Sequence, residues 1–254
     1  MKEINLDFPV SADGDLLKVK IKKSTAPKKL KRLKMNFVGR TLQITHPSSL
    51  DQRAVREAIG FFNGSLPWVK NQISLNPAIL DKDLEIGKPV KLYLRGSALN
   101  VVWVKGQAKS GIVFCSETKM LSIHYNSLNQ LSAIKTMLRN FYEKELMKDV
   151  HHYLTKWLPT IPGGSIKSIR VAPTSSKWGS MSSDHRLSLN FNLIYGKPSA
   201  LEYVIIHELV HQIHMNHSSA FWSEVKKRMI NYREQELYLE KWQGFLAVKS
   251  DLIF

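Results

Sequence analysis

Apolar and polar residues alternate through Val19-Lys20-Ile21-Lys22 and Leu33-Lys34-Met35-Asn36-Phe37, and Gly39-Arg40 turns the chain into Thr41-Leu42-Gln43-Ile44. A period of two with polar outer positions predicts short strands lying on a core. The pattern changes at Ser49-Leu50-Asp51-Gln52, which has capping-box spacing, with Val55, Ile59 and Phe62 following at helical intervals. Asn63-Gly64-Ser65-Leu66-Pro67 interrupts that helix, and Trp68 starts a further turn. Strand-like segments return at Lys91–Leu94, Asn100–Lys105, Ile112–Cys115 and Leu121–Tyr125, broken by Gly106 and Lys109-Ser110-Gly111. From Asn129 to Trp157, Leu131, Ile134, Leu138, Phe141 and Tyr142 recur at three and four, the signature of a long amphipathic helix. His151-His152 near its end point about 100° apart and make a poor metal pair. Pro162-Gly163-Gly164 stops the chain before a strand over Ile166–Val171. Trp178 to Ile194 reads as a hairpin turning at Ser183-Asp184-His185, and helices follow from Ser199 and from about Ser218. Strands, helix, strands, long helix, hairpin and two helices predict an α+β fold, divided into a strand-rich region with one helix over residues 1–128 and a second domain over 129–254.

Composition narrows the class. The chain has 254 residues, 43% hydrophobic and 23% charged, the balance of a folded protein. Its single cysteine, Cys115, excludes an internal disulfide framework and suits a reducing compartment. No purely apolar run exceeds the length of Val101-Val102-Trp103-Val104, far below the roughly 20 residues of a membrane span. Met1 to Val10 carries Glu3 and Asp7 rather than a signal-peptide core, so the expected location is cytoplasmic. The net charge of +16 is concentrated: Leu16–Leu50 holds ten Lys/Arg and no acid, including Lys22, Lys23, Lys28, Lys29, Lys31, Arg32 and Lys34. Such a block attracts polyanions through phosphate contacts and counterion release. Lysines on strands also protect edges from aggregation, and no finger, P-loop or RNA-binding motif accompanies these.

The specific chemistry lies in His207-Glu208-Leu209-Val210-His211. Pro198-Ser199-Ala200-Leu201-Glu202 is a good helix start, with Ser199 and Glu202 spaced as a capping box. On that helix, residues four apart differ by about 40° in direction and ~6 Å in rise, so two imidazoles can converge on one ion. Glu208, one step round, points beside the metal, where a carboxylate can take a proton from water and pass it on. His214 lies on the same wheel face but about 10.5 Å along the axis from His207, too far to share an ion. His217 follows Asn216, a residue that readily adopts the left-handed conformation ending helices, so a turn there returns His217 to the metal. His217 is the preferred third ligand, and a glutamate from a later helix, Glu234 or Glu224, is the competitor.

Val204–His211 followed by Asn216-His217-Ser218-Ser219-Ala220-Phe221-Trp222 resembles the YgjP-like metallopeptidases, relatives of the SprT and WLM groups. Lys177-Trp178-Gly179-Ser180-Met181-Ser182 and Leu187-Ser188-Leu189-Asn190 are similar to that family's W-G-S-C-S and N-x-x-L strands. The resemblance runs from about Lys29 to Glu240 and is strongest after Phe141. It implies a minimal zincin domain over 129–254, zinc held by His207, His211 and His217, and Glu208 as base. Met181 stands where the family has cysteine, which argues against a thiol role. Gly179 beside the zinc helix permits close backbone approach, so Trp178, Gly179 and Ser180 are candidate substrate contacts for an extended peptide. A hairpin with Trp178 in the core explains the same residues.

The expectation is therefore a zinc-dependent hydrolase cleaving peptide bonds, with no membrane partner. The rival is a nucleic-acid-associated zinc protein whose basic region binds DNA or RNA, its peptidase activity directed at bound proteins or absent. A two-metal nuclease fits less well, because Asp184 is the only acid between Ser165 and Ser199.

Overall fold

The computed structural model describes residues 3–9, 16–25, 32–38, 41–47, 50–75, 84–106, 109–174 and 177–241. The protein is α+β, and its chain divides into two compact units, residues 1–82 with 241–251 and residues 83–240 with 252–254. The boundary expected at 128/129 falls within the second unit.

In the first unit, β1 (Glu3–Pro9) and β2 (Leu16–Lys23) are antiparallel, β4 (Thr41–His46) runs parallel to β2, and β3 (Lys34–Val38) lies antiparallel to β4. The order is β1-β2-β4-β3. Alternation sends Leu17, Val19, Ile21, Leu42 and Ile44 into the core, where Ala58 and Phe62 of α1 (Gln52–Gly64) and Val69 of α2 (Leu66–Leu75) meet them. Asp51 caps α1 by accepting from the Ala54 N–H at 2.8 Å. Ser49 and the Gly39-Arg40 turn lie outside the described residues.

The second unit holds two sheets. β5 (Leu92–Leu94), β6 (Ser97–Lys105), β7 (Gly111–Cys115) and β8 (Met120–Tyr125) form one, in the order β5-β6-β8-β7. Arg95 and Gly96, both at positive φ (52° and 75°), make the two-residue turn that matches the twist of the β5–β6 hairpin. The Arg95 side chain then reaches α3 (Leu131–Trp157), pairing with Asp149 at 2.7 Å and Glu145 at 3.1 Å. Along α3, Ile134, Leu138, Tyr142, Leu146, Val150 and Leu154 are buried at every fourth position, each burial stabilising by about 1.5–3 kcal/mol. They share one core with Leu121 and Ile123 of β8 and with the second sheet.

That sheet comprises β9 (Ser168–Ala172), β10 (Gly179–Met181) and β11 (Arg186–Asn190), ordered β10-β11-β9, so β10 is an edge. Three helices follow rather than two: α4 (Pro198–Val210), α5 (Ser219–Arg228) and α6 (Tyr232–Lys241). α4 is not opened by Ser199. Its N-cap is Lys197, Pro198 occupies the first turn, and the Ser199 hydroxyl donates instead to Gln235 of α6 at 2.9 Å. Glu202 likewise leaves the backbone and accepts from Trp157 and Lys156 of α3, at 2.9 and 2.7 Å. Among the described residues no helix is long and apolar enough to cross a membrane.

Candidate metal centre

α4 is apolar on almost every side: Leu201, Val204, Ile205, Ile206, Leu209 and Val210 are all buried. A helix sunk this deeply spends its few polar side chains where they face each other. It ends at Val210, earlier than expected. The N–H groups of Gln212 and Ile213 return to Leu209 and Val210, and His214 N–H also reaches the Val210 carbonyl, at 2.9–3.0 Å. These tightened turns satisfy the last carbonyls, so no left-handed residue is needed. Asn216 is accordingly not among the residues at positive φ, and the chain reverses before it rather than at it. Ser218 then caps α5, accepting from the Phe221 N–H, which leaves His217 immediately ahead of that helix.

This path brings His207, His211 and His217 together, with one ring nitrogen from each lying within 4.8 Å of the others. Nε2 of His207 and Nε2 of His217 are 3.0 Å apart. The fully buried Phe221 ring forms the floor, its centroid 4.9, 4.7 and 4.7 Å from the three imidazoles. Burial, then the neighbouring His211 and His217, pushes His207 down to about 3. Burial also lowers His211. Nδ1 of His211 donates to the His214 carbonyl at 3.2 Å, an oxygen that can only accept, so its Nε2 keeps a bare lone pair. Three imidazoles, each with a nitrogen turned inward over an apolar floor, are the donor set of a borderline-soft cation, and zinc fits them.

Glu208 lies beside this cluster, 6% exposed. Burial raises its carboxyl to about 7, although the Met181 N–H and the charge of Lys177 pull the other way. β10 passes so close that a Cβ built on Gly179 would stand 2.8 Å from Glu208 Oε1 and 2.8 Å from Val204 Cγ1. Trp178 is half-buried against the main core, and Ser180 pairs with Ser188 of β11.

Other candidates fall away from the site. The His214 side chain is outside the cluster; only its backbone carbonyl takes part. Glu224 is held by Arg228 at 2.7 Å and by Lys227, and those hydrogen bonds depress it to about 2. Glu234 accepts from Asn231, and among the described residues neither glutamate joins a metal-ligand group. Lys23, Arg32 and Lys34 are exposed and Lys22 half-buried on the first unit, whereas Lys28, Lys29 and Lys31 lie outside the described residues. Across the β1–β2 ladder, Asp7 faces Lys18 and Glu3 faces Lys22, and Glu3 also pairs with Lys20 at 2.6 Å.

Two supporting residues escape sequence reasoning. Asn190, 1% exposed, donates to the Thr174 carbonyl and hydroxyl and to the Lys177 carbonyl, fixing the approach to β10. Tyr203 sits one turn before His207 on α4, and its hydroxyl is 3.5 Å from His207 Nδ1. The i, i+4 spacing from the first histidine is the signal that could have found it.

A family model described as the YgjP-like metallopeptidase domain matches residues 31–241. Two solved metallopeptidase zymogens are similar over part of the chain. Pyrococcus abyssi abylysin is 23% identical, with 37% of this chain and 90% of that one covered and a TM-score of 0.30. Methanocaldococcus jannaschii jannalysin is 26% identical, with 38% and 94% covered and a TM-score of 0.32. At those TM-scores neither likeness bears on the site. No match is found among the curated proteins.

Proposed function

The chain belongs to the YgjP-like metallopeptidase family, and from that premise we propose that it is a zinc peptidase in which His207, His211 and His217 hold the ion and Glu208 is the general base. The observation that carries this reading is the convergence of three imidazole nitrogens within 4.8 Å, next to a buried carboxylate that belongs to none of them. Zinc, when bound, supplies Lewis acidity, polarising a scissile carbonyl and making water a nucleophile near neutral pH.

The remaining work falls to the chain's own groups. Glu208 accepts a proton from the attacking water and delivers it to the leaving amine. Burial favours the protonated carboxyl that delivers the proton, while the Met181 N–H and the Lys177 charge favour the carboxylate that accepts it. The Met181 N–H keeps the carboxylate turned toward β10. That strand is a sheet edge; Trp178 and Ser182 hydrogen-bond to Asn190 and Arg186, so by antiparallel alternation the Gly179 backbone N–H and C=O point away from β11, open to an extended substrate. Trp178 would give the groove an apolar wall.

The basic region does not carry a second reading of equal weight, because the outward lysines of β2 stand opposite Glu3 and Asp7. The test is cleavage of an unfolded protein by the parent and by Glu208→Gln. The substitution preserves size and hydrogen bonding but cannot take the proton. Hydrolysis should fall by about 10²–10⁴-fold with zinc content unchanged. A glutamine variant that still cleaves at the parental rate would refute the assignment of the base.

A further inference from the structure

An aromatic column crosses the three C-terminal helices and ends on the histidine cluster at both extremities. Tyr203 of α4 stacks on Tyr232 of α6 with centroids 6.4 Å apart and planes at 18°. Tyr232 stacks on Trp222 of α5 at 5.4 Å and 16°. Trp222 in turn stacks on His217 at 5.7 Å and 24°. At its other end the column places the Tyr203 hydroxyl 3.5 Å from His207 Nδ1. The Arg233 guanidinium covers Trp222 and Tyr232 at 5.2 and 5.0 Å, a cation–π lid on its middle.

Packing alone does not account for the phenol. Tyr203 is only 5% exposed, so its hydroxyl is an expense in this core unless it meets a partner, and phenylalanine would fill the same space. Its partner is the nitrogen of His207 that faces away from the cluster. An imidazole that gives Nε2 to a metal must carry its proton on Nδ1, and that proton needs an acceptor. His211 has the His214 carbonyl for this purpose. His207 has the Tyr203 oxygen.

We infer that Tyr203 is a positioning residue for the metal ligands: its hydroxyl accepts the His207 Nδ1–H and fixes the tautomer that offers Nε2, while the column built on its ring holds His217 over the site. The second half matters because His217 is the exposed member of the three and lies on a connection rather than in a helix. Stacking against Trp222 restricts a ring that would otherwise sample several rotamers, so less ordering is left for the metal to impose.

This inference rests on the three-histidine reading, and one series of measurements separates the two. Zinc affinity is read by competition with a chromophoric chelator, and the histidine tautomers by long-range ¹H–¹⁵N correlation on zinc-loaded protein. Tyr203→Phe should weaken zinc binding by about 10–100-fold and remove the protection of the His207 Nδ1–H from solvent exchange, with the His211 signals unchanged. Trp222→Leu should weaken zinc too but leave the His207 tautomer alone. A parent that binds no zinc defeats the three-histidine reading itself. A parent that binds it, with Tyr203→Phe equal in affinity and in His207 exchange, overturns the role of Tyr203. If Tyr203→Phe fails to fold, the zinc-loaded parent decides: a His207 protonated on Nε2, or a freely exchanging Nδ1–H, is the contrary result.

Discussion

The two units of this chain use similar pieces and leave different things behind. Each lays alternating strands on helices, and each sends a clean apolar face inward. In the first unit the polar positions left over are lysines spread along an open sheet face, partly answered by Glu3 and Asp7. In the second they are His207, Glu208 and His211, placed on a helix whose other side chains are nearly all buried. Among the described residues, lysines are thus densest where no metal-ligand group converges, and the candidate site lies where polar groups are few and desolvated. Burial is what makes the difference. It drives His207 down to about 3 and Glu208 up to about 7.

That contrast breaks most sharply at Gly179. An alanine there puts its Cβ against Glu208 and Val204, so either β10 retreats or the carboxylate turns away. Peptide hydrolysis should drop by about 100-fold, as for a catalytic group misplaced by ~1 Å. Stability should fall by about 1–3 kcal/mol by thermal melting, the range for overpacking. Full activity in Gly179→Ala would mean that the close approach of β10 has no part in the reaction.

Arg95 tests the comparison away from the histidines. Burial alone would raise Glu145, but hydrogen bonds from Lys148 and Arg95 bring it below the usual carboxylate value. A carboxyl depressed in the folded state stabilises the protein above its unfolded value of about 4.3, and that contribution disappears as pH falls through the folded value. Arg95→Ala should therefore cost about 2 kcal/mol at neutral pH, below the range for a fully buried pair because the guanidinium is partly exposed. It should also move the acid loss of stability to higher pH. Melting curves from pH 3 to 7 check both, and superimposable parent and variant curves would remove the tether from the account.

The smallest effect belongs to the basic face. Reversing Lys18, Lys20 and Lys22 to glutamate should leave zinc content intact. It should weaken any binding to a DNA oligonucleotide at low salt, an association expected to be sequence-tolerant and steeply salt-dependent. Parental DNA binding that survives both the reversal and raised salt would give that unit a recognition role which diffuse charge does not explain.

Much of the second unit was legible because its periodicities are long. Leu131, Ile134, Leu138, Phe141 and Tyr142, recurring at three and four, announce α3, and His-Glu-x-x-His announces the helix that carries the candidate site. Local signals that compete for the same groups were harder to read. Ser199 and Glu202 have capping spacing, yet Gln235, Trp157 and Lys156, all distant in sequence, claim their side chains. Asn216 has the right residue type for a helix end, but carbonyls satisfied by tightened turns end α4 six residues earlier. His217 reaches the cluster by a different route from the one expected. Tyr203 and Asn190 act through neighbours that folding supplies, so the i, i+4 spacing of Tyr203 from His207 and the place of Asn190 at the end of β11 mark positions without giving their roles.

The central claim is that three histidines, and neither His214 nor a later glutamate, hold the metal. Zinc per chain, measured on purified, folded parent, His217→Ala, His214→Ala and Glu234→Ala, tests it most directly. The account predicts close to one zinc in the parent, His214→Ala and Glu234→Ala, and near-complete loss in His217→Ala, because two imidazoles leave the ion under-coordinated. Zinc retained by His217→Ala but lost from His214→Ala or Glu234→Ala would contradict it.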